Sequence, residues 1–217
     1  MFFLEGNIGA GKSTFLSLLA HWQPSLQVYR EPVDRWDGAG AASLLGRFME
    51  SPTRWGLTLE TYTMMCRLQE AASLQASDTG RLIVERSVFS GYYIFAKNSY
   101  EQGFLNNLEW ALCRDIFNRC VEQQMLAPQG FIYLQVSPRT AYRRVKQRAR
   151  AAESTMSMAY LEQLHQQHER FLCDRSNCKE LCSVPVLKIT YDEDFDVFGP
   201  QGERIAQKVA DFVCSVA

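Results

Sequence analysis

The chain has 217 residues, of which 47% are hydrophobic and 22% are charged, a composition that fits one large globular domain and excludes a disordered chain. Its formal net charge of -1 carries no basic signal for binding nucleic acid or a membrane surface, so a small charged ligand is the better expectation. No apolar run approaches the roughly 20 residues that a membrane helix requires, and the first predicted strand leaves no room for a targeting segment. We therefore expect an intracellular protein, with the cytoplasm as the favoured location.

The seven cysteines are scattered and odd in number, which favours reduced thiols over a disulfide framework. Cys173, Cys178 and Cys182 cluster, but their spacing matches no common zinc pattern and nothing nearby completes a ligand set. His165 and His168 lie on one side of a predicted helix without an evident third ligand, so we interpret them as structural.

A glycine-rich loop follows the first predicted strand, residues 1–4, and precedes a run with apolar residues at helical spacing. The loop has the pattern G-x-x-x-x-G-K-S and consists of Gly6, Asn7, Ile8, Gly9, Ala10, Gly11, Lys12, Ser13 and Thr14. A strand, such a loop and a helix in this order are the context of a phosphate-binding loop, in which backbone N–H groups and the helix N-terminus face phosphate oxygens. The pattern predicts that Lys12 reaches the β- and γ-phosphates of a nucleoside triphosphate and that Ser13 binds Mg²⁺.

The second predicted strand, residues 26–29, leads to Glu31, and Pro32 stops regular structure there. Glu31 is thus placed at the carboxyl end of a strand, where open α/β sheets bind their ligands. A solvated end charge is one interpretation. Beside a phosphate-binding loop, Glu31 is also a candidate general base.

Helices are predicted at residues 41–50 and 55–77, and a short, continuously apolar strand at residues 81–87 ends abruptly in charge. Glu85 in that strand is a candidate to support Mg²⁺, where many phosphate-loop proteins have an aspartate. Arg86 beside it is costly to bury without anionic partners, so a phosphate or a carboxylate is its expected neighbour.

The same alternation continues to the end of the chain. The remaining predicted elements are helices at 88–97 and 105–125, a strand at 130–136, a helix starting at Ser137 and Pro138, a helix at 157–172, a strand at 184–189 and a helix at 203–216. The pattern predicts an α/β fold of the phosphate-loop type, with about five parallel strands flanked by helices in a single domain of residues 1–217. Its large apolar helices favour a dimer interface and ordinary core packing about equally.

The most basic stretch of the chain lies in the helix after Pro138 and includes Arg144, Arg148 and Arg150. A solvated helix face is the usual meaning of such a run. Because a triphosphate is already indicated, we predict instead an arginine-rich lid, at about residues 144–155, that closes over the phosphates.

With these residues in place, the sequence resembles the deoxynucleoside kinase family, which includes deoxycytidine, deoxyguanosine and mitochondrial thymidine kinases and the broad-specificity insect enzyme. The resemblance runs over nearly the whole chain and implies a fold like that of nucleoside and nucleotide kinases. It rests on the phosphate-binding loop, Glu31-Pro32-Val33 with Trp36, Arg54-Trp55-Gly56-Leu57-Thr58-Leu59, Glu85-Arg86-Ser87-Val88-Phe89-Ser90, Gln147-Arg148-Ala149-Arg150 and Tyr160-Leu161-Glu162 with Leu164-His165.

The resemblance implies phosphoryl transfer from ATP or another triphosphate, with Mg²⁺, to the 5'-hydroxyl of a deoxyribonucleoside in nucleotide salvage. It implies that Glu31 is the general base, that Arg86 holds Glu31 and the hydroxyl in place, and that Glu85 supports Mg²⁺. Matches to the family's lid arginines, which contact the donor phosphates, are Arg144, Arg148 and Arg150.

The resemblance also implies contacts to the nucleoside. Glu153 matches the lid glutamate that accepts the sugar 3'-hydroxyl. Trp36 and Phe95 match aromatic residues of the base pocket, with Phe95 stacking on the base. A homodimer is suggested by the family and by the apolar helices.

The family's base-reading glutamine falls on Glu60. A glutamine offers a donor and an acceptor, whereas an ionised glutamate only accepts. Guanine presents two adjacent donors, at N1 and N2, whereas cytosine and adenine each present a ring acceptor. Arg67 matches an arginine of the purine-accepting members and could serve guanine O6 and N7. Deoxyguanosine is therefore favoured, with a pyrimidine deoxynucleoside or a broad range of deoxynucleosides as the alternative.

Two further positions depart from the family. The aspartate that partners the arginine is replaced by Gly91, which is expected to enlarge the pocket but leaves open that Arg67 simply pairs with Glu60. The tyrosine that shares the 3'-hydroxyl with the lid glutamate falls on Met49. We therefore expect sugar recognition to rest on Glu153 alone.

Two rival functions fit the sequence less well. A nucleoside monophosphate kinase shares the fold and the lid, but the Glu31 carboxylate would repel its phosphorylated acceptor. A GTP-dependent switch protein should carry an N-K-x-D guanine motif on a late strand, and the sequence has none.

Overall fold

The computed structural model describes residues 1–33, 43–76, 81–124, 127–175, 178–193 and 196–216. In this part of the chain the strands are β1 (Phe2–Gly6), β2 (Gln27–Tyr29), β3 (Leu82–Glu85), β4 (Gly130–Gln135) and β5 (Val186–Thr190). They form a five-stranded sheet of order β2-β3-β1-β4-β5, and every neighbouring pair is parallel. The predicted α/β fold with about five parallel strands is confirmed.

Helices connect the strands and cover the sheet. They are α1 (Lys12–Trp22), α2 (Leu44–Glu50), α3 (Pro52–Ala76), α4 (Val88–Ser90), α5 (Lys97–Glu101), α6 (Asn107–Gln124), α7 (Pro138–Arg148), α8 (Met158–Glu169) and α9 (Pro200–Val216). A π-helical segment, Gly91–Ala96, joins α4 to α5, and another, Arg170–Asp174, follows α8. Helix α7 begins where the sequence predicted it, because the Ser137 hydroxyl accepts a hydrogen bond from the Thr140 N–H and Pro138 occupies the first turn.

Strand β1 is buried on both faces of the sheet. Phe2 and Leu4 pack into a core cluster with α1 and α9, whereas Phe3 packs into a second cluster with α3, α6 and α8. A strand covered on both sides reads as a continuous apolar run rather than as an alternating pattern. The buried carboxyl group of Glu5 interrupts this run at the end nearest the ligand edge.

The carboxyl ends of β1, β2 and β3 meet at one edge of the sheet. Leu4 pairs with Glu85, and Tyr29 pairs with Val84, so these strands finish almost level with one another. The phosphate-binding loop after β1, Glu31 after β2 and the end of β3 are thereby brought to the same place, as the alternating pattern predicted.

No helix in the described ranges combines the length and the apolar character needed to cross a membrane.

Two glycines with similar backbone conformations allow steric crowding to be separated from backbone strain. Gly9 has a φ of 80°, and a Cβ there would lie 2.4 Å from the Ala141 carbonyl oxygen and 2.9 Å from Val145 Cγ2 of α7. Gly103 has a φ of 74°, and a Cβ there would meet nothing within 4 Å.

We expect Gly103→Ala to lower the free energy of unfolding by about 1 to 2 kcal/mol, which is the cost of left-handed backbone for an L-residue. Gly9→Ala should lower it by a further ~1 to 3 kcal/mol because of overpacking against α7. Urea denaturation of both variants measures the difference. Equal losses of unfolding free energy in the two variants would contradict this prediction, because they would show that α7 moves to accommodate the added methyl group.

Candidate active site

A cavity of about 400 Å³ opens at the carboxyl edge of the sheet. This volume lies within the range of small-molecule sites in proteins. The predicted site residues that line it are Ile8, Gly9, Lys12, Ser13, Glu31, Glu60, Arg67, Glu85, Arg86, Phe95, Arg148, Arg150 and Glu153. Leu45 of α2 and Thr63 of α3, which the sequence analysis did not single out, also line it. Trp36 lies outside the described residues.

The phosphate-binding loop, Gly6 to Thr14, wraps around the start of α1. Lys12 folds back so that its ammonium group donates to the carbonyl oxygens of Gly6, at 3.2 Å, and Asn7, at 3.0 Å. The Asn7 side chain donates to the Leu161 carbonyl of α8 at 2.8 Å, which ties the loop to that helix. Burial, with a contribution from the nearby Arg86 charge, lowers the pKa of Lys12 to about 7. An anion at the N-terminus of α1 would favour the charged ammonium form.

The carboxylate of Glu31 lies between two buried guanidinium groups. Arg67 Nε donates a hydrogen bond to Glu31 Oε1 at 2.8 Å, and its Nη2 forms an ion pair with the same oxygen at 2.7 Å. Arg86 Nε lies 3.4 Å from Glu31 Oε2. Their side chains are at most 9% exposed. Burial by itself would raise the pKa of Glu31, but the Arg67 and Arg86 charges outweigh it and hold that pKa below its usual value. Glu31 is therefore ionised and fixed in one orientation.

Arg86 adopts an unusual backbone conformation at the end of β3. Its φ is 65°, in the left-handed region that costs a large side chain of the order of 1 to 3 kcal/mol. This conformation places the guanidinium group 4.6 Å from the centre of the Phe95 ring and beside Glu31. The π-helical segment that carries Phe95 is a second irregularity at the same place.

Glu5 is a residue that the sequence analysis missed. It is fully buried in β1, and the Ser87 hydroxyl donates to its Oε1 at 2.6 Å. Burial raises the pKa of Glu5 against the opposing effect of the Arg86 charge. The signal that could have found it is an acidic residue inside an otherwise apolar strand.

Ser13 and Glu85 bring a hydroxyl and a carboxylate together at the phosphate-binding loop. The Ser13 hydroxyl donates to Glu85 Oε2 at 3.4 Å, and the Glu31 backbone N–H donates to the same oxygen at 3.5 Å. A hydroxyl and a carboxylate next to bound phosphates are the ligands that Mg²⁺ uses in kinases. The residues present therefore fit the predicted ion.

Glu60 is buried on α3, and the Ser99 hydroxyl donates to its Oε1 at 2.7 Å. Burial raises its pKa to about 7, so the acceptor-only property expected of it applies only to its ionised form. Arg67 does not pair with Glu60, because it is bonded to Glu31.

Gly91 and Met49, two of the three positions that depart from the family pattern, are not among the described residues that line the cavity. A Cβ at Gly91 would meet Met64 Cγ at 2.8 Å and Arg67 Nη1 at 3.1 Å. Those side chains already fill the space, so the expectation that Gly91 enlarges the pocket is wrong. Met49 is half-buried on α2 and packs against the core clusters around Phe48 and β1.

The basic stretch forms the end of α7 and the turn that follows it. Arg148 Nη2 lies 2.7 and 2.6 Å from the two carboxylate oxygens of Glu153, and Arg150 Nη1 lies 3.8 Å from Glu153 Oε1. Glu153 is buried, whereas both arginines are substantially exposed. This segment therefore lies against the cavity with its charges already paired.

A second cavity, of about 340 Å³, lies beside the phosphate-binding loop and includes Gly11 and Thr14 in its lining. Arg144 stacks over the Tyr191 ring there, with 5.2 Å between the guanidinium carbon and the ring centre. The Tyr191 hydroxyl donates to the Ala10 carbonyl at 2.8 Å. Arg144 thus borders this second cavity, while Arg148 and Arg150 border the first.

Comparison with known proteins places these features in a family. A family model described as deoxynucleoside kinase matches residues 2–214. Human deoxycytidine kinase is 34% identical, and the match covers 98% of this chain and 90% of the relative. The mitochondrial deoxyguanosine kinase of Xenopus laevis is 32% identical, with 98% and 89% covered. A fowlpox virus protein described as a probable deoxycytidine kinase is 33% identical, with 97% and 86% covered.

The contact between Arg67 and Glu31 can be tested by titration. Arg67→Gln removes a positive charge and the Nε hydrogen bond from the carboxylate, so the pKa of Glu31 should rise. NMR titration of isotope-labelled glutamate carboxyl groups measures it, with Glu31→Gln used to assign the signal. Arg54→Gln, on the exposed face of the same helix, is the control that should leave the pKa unchanged. An unchanged pKa in Arg67→Gln would contradict the geometry.

Proposed function

Since this chain belongs to the deoxynucleoside kinase family, and is an enzyme of that class, we propose that it transfers the terminal phosphoryl group of a nucleoside triphosphate to the 5'-hydroxyl of a deoxyribonucleoside, with Glu31 as general base. One observation carries this proposal. The Glu31 carboxylate is held by two arginines in the same cavity as Lys12 and Ser13 of the phosphate-binding loop. A hydroxyl placed beside Glu31 would then lie next to the donor's terminal phosphate.

An alcohol is a poor nucleophile until its proton is removed. Glu31 is ionised and takes the proton of the 5'-hydroxyl. At the same time a bond forms between O5' and the terminal phosphorus of the donor, and the bond from that phosphorus to the leaving nucleoside diphosphate breaks. Arg67 and Arg86 orient the carboxylate. They also lower its basicity, so we infer that proton transfer accompanies phosphoryl transfer rather than preceding it.

The donor is proposed to be ATP, bound by its phosphates at the loop of residues 6–14 and the N-terminus of α1. Lys12, Arg148 and Arg150 neutralise charge on the transferred group. Ser13 and Glu85 would hold Mg²⁺, which supplies further neutralisation of the phosphates when bound. The second cavity, bordered by Arg144 and Tyr191, is the proposed position of the donor base.

The acceptor nucleoside is proposed to occupy the rest of the first cavity. Phe95 stacks on its base, and Glu60 and Arg67 face the base edge. Glu153 accepts the 3'-hydroxyl of the sugar, without help from Met49. Deoxyguanosine is the acceptor expected for the ionised form of Glu60.

A homodimer is proposed from an exposed apolar surface on two neighbouring helices. Leu108 and Leu112 of α6 are 69% and 43% exposed, and Tyr62 and Met65 of α3 are 43% and 39% exposed. Helices α3 and α6 pack against each other, so these exposed side chains lie on neighbouring elements. Burial of such a surface against its own copy would remove apolar groups from water.

The cytoplasmic location stays a prediction from the sequence.

Glu31→Gln should lower kcat by roughly 100-fold or more, because the amide cannot take the 5'-hydroxyl proton. Nucleoside binding should be retained, since the side chain keeps its size and an oxygen acceptor. Steady-state kinetics and calorimetric titration with the nucleoside measure the two effects.

Glu50→Gln is the matched control, because Glu50 is exposed and pairs only with Arg47 among the described residues. Unchanged turnover in Glu31→Gln would place the base elsewhere.

The same assay on the wild-type enzyme with thymidine monophosphate as acceptor should give no product. A nucleoside monophosphate kinase would instead prefer the monophosphate to thymidine.

Replacing both Leu108 and Leu112 by Glu should convert the proposed dimer into a monomer, because it buries charge at the interface. Analytical ultracentrifugation of the wild type and the variant measures the mass. Phe198→Glu is the control, since Phe198 is 56% exposed but packs its ring against His21 of α1. A monomeric wild type would contradict the proposal.

A further inference from the structure

Glu60 is a buried carboxyl group without a cationic partner in the described part of the chain. It is 2% exposed, it lines the cavity, and one of its oxygens accepts the Ser99 hydroxyl at 2.7 Å. Arg67 follows it by two helical turns and is the natural counter-ion on α3. Its Nε and Nη2 are instead committed to Glu31, at 2.8 and 2.7 Å.

The ionised and the protonated form of this carboxyl group have similar free energies near pH 7. The ionised state is penalised by burial and favoured by the Ser99 hydrogen bond and the Arg67 charge, and the balance raises the pKa of Glu60 to about 7. Below that pH the acid form predominates, and above it the carboxylate predominates. Both forms are therefore present near neutrality.

The two forms present different hydrogen-bonding groups to a ligand. The carboxylate offers only acceptors, whereas the acid offers one donor and one acceptor. Guanine presents adjacent donors, at N1 and N2, which suit the carboxylate. Adenine and cytosine each present an amino donor beside a ring acceptor, which suit the acid.

We propose that Glu60 reads the edge of the acceptor base and that its protonation state selects the base: guanine with the carboxylate, adenine or cytosine with the acid. This inference rests on the proposed function, because it assigns a base specificity to the same nucleoside site.

Other groups that face Glu60 do not titrate in the same range. Ser99 lies on α5, Cys113 on α6 and Tyr160 on α8. Burial raises the pKa of the Cys113 thiol to about 12, and burial also raises the pKa of the Tyr160 hydroxyl. Both remain neutral near pH 7. Among the described groups that face Glu60, none has a pKa near 7, whereas Lys12, whose pKa is also about 7, lies at the phosphate-binding loop of the same cavity.

The test is a competition assay on the wild-type enzyme. Deoxyguanosine and deoxycytidine are supplied together with ATP and Mg²⁺, and the ratio of the two monophosphate products gives the ratio of their kcat/KM values. Effects of pH on Lys12, Glu31 or the donor act on both substrates and cancel in this ratio. The ratio of deoxyguanosine to deoxycytidine product should rise roughly tenfold per pH unit between about pH 6 and 8, since each unit changes the ratio of carboxylate to acid tenfold. Deoxyadenosine in place of deoxycytidine should give the same slope.

Two variants at the base end of the cavity sharpen the test. Glu60→Gln has a fixed donor and acceptor, so its product ratio should favour deoxycytidine and stay constant with pH. Ser99→Ala removes the hydrogen bond that stabilises the carboxylate. The pH at which the ratio of deoxyguanosine to deoxycytidine product reaches a given value should therefore be higher than in the wild type. Ser73→Ala is the control and should leave the pH dependence of the product ratio unchanged. Ser73 lies exposed on α3, the helix that carries Glu60, and its hydroxyl donates to the Glu70 carbonyl.

A product ratio that does not change with pH in the wild type would overturn the inference, as would an enzyme that accepts thymidine alone. In either case deoxynucleosides are still phosphorylated and the proposed function stands. If no deoxynucleoside is phosphorylated at any pH, the proposed function fails, and the inference fails with it. The wild-type profile decides the question even where Glu60→Gln does not fold.

Discussion

The ion pairs that Glu31 forms with Arg67 and Arg86 are the interaction on which the rest of the site depends. They join three separate segments, namely the chain after β2, the middle of α3 and the end of β3. Unpaired charges at this depth would be costly, so the position of each group depends on the others. The left-handed backbone of Arg86 is consistent with this constraint, since it directs the guanidinium group toward Glu31 and Phe95.

The commitment of Arg67 to Glu31 has a consequence elsewhere in the cavity. Glu60 is left with the Ser99 hydroxyl as its described hydrogen-bond partner, and its charge then depends on the balance between burial and more distant cations. The same pairing that keeps Glu31 ionised therefore leaves Glu60 near its titration midpoint at neutral pH. Two glutamates in one cavity thus acquire different properties from their surroundings, which suits the two roles proposed for them, general base and base-reading group.

The arginine-rich segment at the end of α7 also pairs a buried glutamate with arginine side chains. Glu153 is buried and holds Arg148 through both of its oxygens. In the proposed function Arg148 contacts the donor phosphates and Glu153 the acceptor sugar, so the two substrates would compete for, and reorganise, one ion pair. Binding of donor and acceptor would then be coupled through these two side chains.

The sequence by itself determined the parallel α/β fold, the phosphate-binding loop and the arrival of Glu31 and Arg86 at one sheet edge, because hydrophobic periodicity and loop chemistry are local properties. It also determined the start of α7 at Ser137 and Pro138. Only the tertiary structure decided that Arg67 pairs with Glu31, that Met64 fills the space beside Gly91 and that Glu60 titrates near neutrality. Counter-ion choice, filled volume and pKa depend on burial and on side chains distant in sequence, and no local pattern records them.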